Sequence, residues 1–408
     1  MAAPQPPAPP RVLGPQRAVL RLRGVRPLIV ASLVGRLPIG MTPLAVILLL
    51  RAEGRSYALA GLVDGAVVLG VAIAQPALGR MIDRLGLRRV LVPSALAFAL
   101  AVVALAIAGS RGAAAYALIP LALLAGMSLP PVGASLRALW PALVTAPELR
   151  GAAYTLDAIL QEVTFIVGPP LAAVLAAAAS PRVALSVVAL LALVGAAAFS
   201  RLAAREPARE RRKGARALDS VGARLVLSLS LLLGASFGAE EIAMPAFAEH
   251  HGARAAAGVL LAALALGSLL GGVVFGTRTT EQTAVRRLGR GLLLCGLAVL
   301  PLLAAPSIAA MAVLMLLAGL PIAPSFAAQY LLLDALAVPG AATETFAWNT
   351  TAIFAGAAVG NALGGALVAA SSYRASLAVA MAFALLSAAI AFALARRGSF
   401  ATALAGRA

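Results

Sequence analysis

The residues of this chain most able to do chemistry are ionisable side chains set inside apolar runs. Arg36, Asp64, Asp157, Glu162, Glu240 and Glu241 each stand within such a run. Placing one in a bilayer costs at least about 2.5–3.5 kcal/mol on insertion scales, so each that is kept is a candidate for function. A carboxyl between two aqueous compartments can take a proton from one and release it to the other. Asp157, Glu162 and Asp64 are the candidates for that role. Arg36 lies about ten residues into its run and Glu162 about eleven into its own, so at 1.5 Å per residue the two reach similar depths and can pair. Gln161 follows Asp157 by one helical turn and shares its face, whereas Glu162 is turned by about 140° from Asp157. Glu240 and Glu241 point about 100° apart, so only one is expected to face a cavity. Gln329 and Tyr330, with Trp348, Asn349, Thr350 and Asn361, are candidates to line a second side of that cavity. Asp334 and Glu344 stand at the ends of their runs, as interface residues would.

Helices must carry these groups, because a backbone in lipid satisfies its own hydrogen bonds only in a helix or a closed barrel. Of 408 residues, 62% are hydrophobic and 12% charged, against about 45–50% and about 25% in soluble domains. A span needs about 20 mostly apolar residues. Runs of that kind occur near 27–50, 57–79, 88–109, 114–138, 151–178, 181–201, 224–247, 256–276, 288–305, 308–334, 341–369 and 373–395. The first is too long for a signal-peptide core, and no small-residue cleavage site follows it, so it reads as a span that stays. The fold expected is an all-α integral membrane protein of twelve transmembrane helices in two pseudo-symmetric six-helix bundles.

The domain reading follows. Residues 1–24 form a disordered tail, 25–201 the first bundle, 202–223 a basic linker, 224–397 the second bundle and 398–408 a second tail. With the N-terminus inside, 26 of the 33 Lys and Arg fall in inside segments and 6 in outside ones, Arg36 lying within the first span. That asymmetry places both termini in the cytoplasm, in a cytoplasmic membrane. The net charge of +18 therefore reflects anchoring to a membrane and argues against nucleic acid as a partner. Cys295 is the one cysteine, so neither an internal disulfide nor a cysteine metal site is expected. His250 and His251 fall in a polar connection. There is no phosphate-binding loop for nucleotide hydrolysis. The halves also repeat: an offset of 197 carries Ala60-Gly61 onto Ala257-Gly258, Gly70 onto Gly267 and Gly79 onto Gly276. Small residues there let helix backbones approach closely.

Between the second and third runs stands Gly79-Arg80-Met81-Ile82-Asp83-Arg84-Leu85-Gly86-Leu87-Arg88-Arg89. Its spacing resembles the loop signature of the Major Facilitator Superfamily, with Leu87 where many members carry a basic residue. The resemblance implies that Gly79, Asp83, Arg84, Gly86, Arg88 and Arg89 latch the two halves on the cytoplasmic side, with Arg137 as the partner of that latch. Gly276-Thr277-Arg278-Thr279-Thr280 is a degraded second copy without the Asp. In the fifth run, Gly168-Pro169-Pro170 resembles part of the Gly-Pro signature of the family's drug antiporters, without its flanking glycines.

The functional expectation is a secondary transporter, not an enzyme, that works as a monomer by alternating access. It exports a small amphipathic compound in exchange for protons, with the proton gradient as its energy source and neither metal nor cofactor. Uptake of a metabolite with protons is the alternative, and a membrane sensor or scaffold that has kept the fold is a third reading.

Overall fold

The computed structural model describes residues 14–55, 57–203, 216–253, 256–275 and 281–396. Its helices are α1 (Gly14–Arg21), α2 (Val25–Ala52), α3 (Tyr57–Leu85), α4 (Leu87–Ser110), α5 (Ala115–Ser128), α6 (Val132–Leu143), α7 (Pro147–Ala178), α8 (Pro181–Ala203), α9 (Val221–His250), α10 (Ala257–Phe275), α11 (Glu281–Val299), α12 (Ile308–Gly319), α13 (Ile322–Leu336), α14 (Ala342–Ala370) and α15 (Tyr373–Arg396). Among the described residues they make twelve apolar spans long enough to cross a membrane.

Two departures from the expected spans matter for the site. The fourth and tenth spans, expected as single helices, are each interrupted in the middle. Pro130 and Pro131 separate α5 from α6, and Leu320 and Pro321 separate α12 from α13. Proline lacks the N–H that would continue the helix, and its ring clashes with the preceding turn. The interruptions sit at corresponding places in the two halves. The third departure is in the N-terminal tail, expected to be disordered to residue 24. Gly14–Arg21 is a helix that seats Val19 and Gln16 in the interior, because its apolar side finds a surface on α7. Residues 1–13 and 397–408, most of the linker (204–215) and the degraded loop copy (276–280) lie outside the described residues.

Of the glycine repeat, Gly70 and Gly267 pack equivalently in the two halves, whereas Gly61 and Gly258 make no close approach, an added Cβ at either meeting nothing within 4 Å. A Cβ on Gly70 would overlap the Leu123 carbonyl oxygen, and one on Gly126 the Val67 carbonyl. In the second half a Cβ on Gly267 would overlap the Leu316 carbonyl, and one on Gly319 the Leu264 carbonyl. So α3 meets α5, and α10 meets α12, backbone against backbone, as small residues allow in lipid.

Among the described residues, the buried apolar cluster drawn from both halves lies toward the face where α3 turns into α4, hereafter the basic face. There one cluster joins Tyr154 and Ala152 of the first half to Leu332 and Phe346 of the second. Toward the opposite face the core divides. One cluster, around Phe98 and Val102, has its buried members in the first half, with Phe354 of the second packed against it, and another, around Phe247 and Met311, is built from the second. The halves share one buried core at the basic face and have separate buried cores beyond it.

The close approaches give a direct test. Gly126→Val and Gly319→Val should each destabilise the protein by about 1–3 kcal/mol or more, as overpacking does. Gly61→Val, where an added Cβ meets nothing within 4 Å, should stay within about 0.5 kcal/mol. Thermal unfolding in detergent measures all three.

Candidate functional site

A cavity of about 270 Å³ lies between the halves at mid-depth. The interruption before α6 forms part of its wall through Pro130, Pro131 and Gly133, and Ile322 at the start of α13 borders it from the other half. Interrupted spans at corresponding positions are where transporters of this architecture place their sites. Phe165, Phe237, Phe326 and Phe354 line the cavity, so its walls are more aromatic than the Ala, Leu, Val and Gly of the helices suggest.

The first half supplies the charges. Asp157 of α7 is fully buried and is held by two arginines. One of its oxygens accepts a hydrogen bond from Arg36 Nη2 of α2. The other accepts from Arg137 Nε of α6 at 2.6 Å. Arg137 Nη2 donates to Gln161 Oε1 at 3.1 Å, and its guanidinium lies 4.2 Å from the centre of the Tyr330 ring. Arg36 is 5% exposed and borders the cavity. Its Nη2 also reaches the Gly133 carbonyl at 3.4 Å, while its Nε and Nη1 have no acceptor among the described residues.

This arrangement corrects two expectations. Arg36 pairs with Asp157 and not with Glu162. Equal depth on two helices does not bring side chains together, and it is the face of α7 carrying Asp157 that meets α2. Glu162 points instead across to the second half, where Ser268 Oγ of α10 donates to its Oε1 at 2.9 Å. Arg137 is not the partner of the latch either. The helix continues to Leu143, so Arg137 sits more than a turn before its end and turns toward α7, where it meets Asp157.

The second half supplies neutral polar groups. Gln329 Nε2 of α13 donates to Asn349 Oδ1 of α14 at 2.6 Å and to Ser230 Oγ of α9. Ser230 Oγ in turn donates to Asn349 Oδ1 at 2.8 Å. Asn349, Thr350 and Tyr330 border the cavity; Gln329 stands behind Asn349. Glu240 and Glu241 do not border it, contrary to the expectation that one would. Glu240 is buried within α9 and accepts from Ser236 Oγ at 3.2 Å, and Glu241 is exposed. Asp64 and Asn361 are half-buried closer to the opposite face, each with a side-chain oxygen lacking a partner, and Asp64 lies within repulsive reach of Glu241. Gly168 packs against Gly40 of α2, where an added Cβ would meet Gly40 backbone at 2.9 Å. Pro169 and Pro170 leave α7 unbroken.

Below the cavity the basic face is sealed in two layers. Tyr154, Tyr330 and Phe346 form a buried cluster across the halves, with ring centres 6.1–6.5 Å apart. Below it, Asp83 at the end of α3 accepts from the backbone N–H of Thr343 at 3.1 Å and of Glu344 at 2.8 Å. These are free N–H groups at the start of α14, where a helix favours an anion. Arg80 Nη2 donates to Glu344 Oε1 at 2.6 Å. Gly79 allows the approach, since a Cβ there would lie 2.9 Å from Ala347 Cβ and the Thr343 oxygen. Gly86 takes φ 92°, a conformation only glycine adopts freely, and so turns α3 into α4. Arg84, Arg88 and Arg89 are exposed at the rim. Arg80, Ser268 and the aromatic lining carry no signal beyond their types in the sequence; the Pro130-Pro131 pair does, as an interruption in mid-span.

The family model described as Major Facilitator Superfamily matches residues 28–337. The chain belongs to the Major Facilitator Superfamily. Its fold and family are those of secondary transporters. No curated protein matches it. Among solved structures it is similar to the human organic anion transporter MFSD10 (TETRAN), at 16% identity and a TM-score of 0.72, over 94% of this chain and 100% of that one. It is also similar to a bacterial homologue of the iron transporter ferroportin in an outward-facing state, at 18% identity and a TM-score of 0.73, over 92% and 100%. At these identities the likeness is one of fold.

Two outcomes follow for this transporter. Asp157→Asn leaves two buried guanidiniums without a counter-charge and should destabilise the protein by about 3–5 kcal/mol. Unfolding in detergent checks this, and a loss below 1 kcal/mol would mean the arginines find another anion. Asp83→Asn replaces one of two oxygens at the α14 N-terminus by a donor, a loss of about 1–3 kcal/mol from the closed basic face. Maleimide labelling of a cysteine placed at Ala347 should then be at least about fivefold faster than in the Asp83 background.

Proposed function

We propose that the protein is a proton-coupled secondary transporter that carries a small amphipathic compound by alternating access, with Glu162 as the proton carrier. The observation that supports this most is the cavity itself. It sits where the core stops being continuous between the halves, and it contains a carboxyl whose bond to Ser268 crosses from one half to the other. Taking up or losing a proton changes that bond, and so changes how the halves hold together. Asp157 suits the role less well, since neutralising it would leave two buried cations. The volume is below the range of about 300–1,000 Å³ typical of pockets for drug-sized ligands, so the cargo is small.

The two directions of transport differ in their fit to the charges. Export in exchange for protons is supported by the partial resemblance at Gly168-Pro169, but those residues pack against α2. Uptake with protons is supported by two guanidiniums sharing one carboxylate: with a proton on Glu162, the cavity holds one positive charge in excess. On that balance we favour cargo and proton travelling together, loaded from the face opposite the latch, which the positive-inside distribution makes the outer one. The cargoes named for the similar structures, organic anions and iron, differ from each other, so cargo is argued from the cavity.

Proteoliposomes with a pH dye inside, offered a panel of small aromatic acids, amides and amines, test the reading. An added compound that acidifies the interior only when the protein is present supports joint transport, and one that makes the interior alkaline supports exchange. Glu162→Gln should abolish proton movement while cargo still equilibrates. A Glu162→Gln protein that moves protons as before would overturn the assignment.

A further inference from the structure

We infer that the cavity takes an organic monoanion, a carboxylate on an aromatic or apolar body, with the carboxylate received by Arg36. This rests on the transporter reading above and names its cargo class.

The first observation is an imbalance. Arg36 and Arg137 share the single carboxylate of Asp157, so the cluster holds two cations and one anion among groups that are each 5% exposed or less. The second is that the two cations are used unequally. Arg137 is occupied: Nε by Asp157, Nη2 by Gln161 and its face by Tyr330. Among the described residues Arg36 finds acceptors through Nη2 alone, leaving Nε and Nη1 without one. A guanidinium carries five N–H donors and cannot shed its charge, and unmet buried donors are costly. Arg36 borders the cavity, beside Gly133, where the absence of a side chain brings the broken span against it: an added Cβ would lie 3.3 Å from Nε. Nε and Nη1 lie on opposite edges of the guanidinium, so either can give an incoming carboxylate one charge-assisted hydrogen bond. The third observation is the lining. Phe165, Phe237, Phe326 and Phe354 surround the space beyond the guanidinium and suit a flat apolar body.

Glu162 is the acid bordering this space, beside Arg36, Arg137 and Tyr330. A bound carboxylate is repelled by it when ionised and not when it carries its proton. Binding should therefore strengthen as pH falls and Glu162 takes up its proton.

The experiment uses purified full-length protein and two probes of equal shape, 1-naphthoate and its neutral amide, with binding read calorimetrically. The inference expects naphthoate to bind at least about tenfold more tightly than the amide, as one charge-assisted bond dictates. Arg36→Gln should erase that preference, and Arg36→Lys should keep the charge but only part of the affinity; the lysine variant serves if the glutamine one does not fold. Glu162→Gln should retain the preference and flatten its pH dependence. Equal binding of acid and amide, or a preference that survives Arg36→Gln, overturns the inference. It would leave the transporter reading intact if the vesicles still move a neutral or basic compound. Movement of none of the three classes would remove the transporter reading as well.

Discussion

One carboxylate shared by two arginines is the constraint on which the rest of this structure depends. Asp157 is fully buried, and each of its oxygens is claimed by a different helix. Separating any of these charges inside a membrane is prohibitive, so α2, α6 and α7 are tied to one another at mid-depth. The interruption at Pro130-Pro131 starts α6 where it can present Arg137 to α7, and Gly133 makes room for Arg36. The charge cluster thus fixes the shape of the first half around the cavity, and its one positive charge in excess sets the cavity's chemistry.

The second half contributes no charge to the cavity wall. Gln329, Asn349 and Ser230 form a neutral network, and Ser268 reaches the one acid that faces it. This division suits a machine whose halves move. The buried charge cluster stays within the first half, and the bonds that cross among the described residues include Glu162 to Ser268, Thr351 Oγ1 to the Ala72 carbonyl at 2.8 Å, and the Asp83 and Arg80 contacts to the start of α14. Each is a bond that water could take over if the basic face opened.

The spans, the two-half build and the loop motif were legible in the sequence because each rests on local pattern: apolar length, glycine spacing, the Gly-x-x-x-Asp run. The glycine repeat was legible in part: Gly70 and Gly267 make matching close approaches, but Gly61 and Gly258 face open space. The partners of the buried charges were not. Arg36 and Glu162 share a depth, but rotation of each helix about its axis decides who meets whom, and rotation depends on packing against several neighbours at once. Arg137 was misread because a span's end was placed five residues early. Asp83 illustrates the middle case. Its taste for a helix N-terminus is plain chemistry, but that the helix would be α14, 260 residues away, depends on how the halves dock.

If the first half is a unit fixed by Asp157 and the crossing bonds are replaceable, the halves must rock, opening one face as the other closes. Pulsed electron resonance in lipid nanodiscs measures this with two spin-label pairs at exposed positions. One pair joins Leu85 to Val221 at the basic face, and the other joins Tyr116 to Val259 at the opposite face. The account predicts two populations in each pair whose shares move in opposite directions as pH is changed, the basic-face distance lengthening as the other shortens. Single, unchanging distances at both faces across the whole pH range would contradict it.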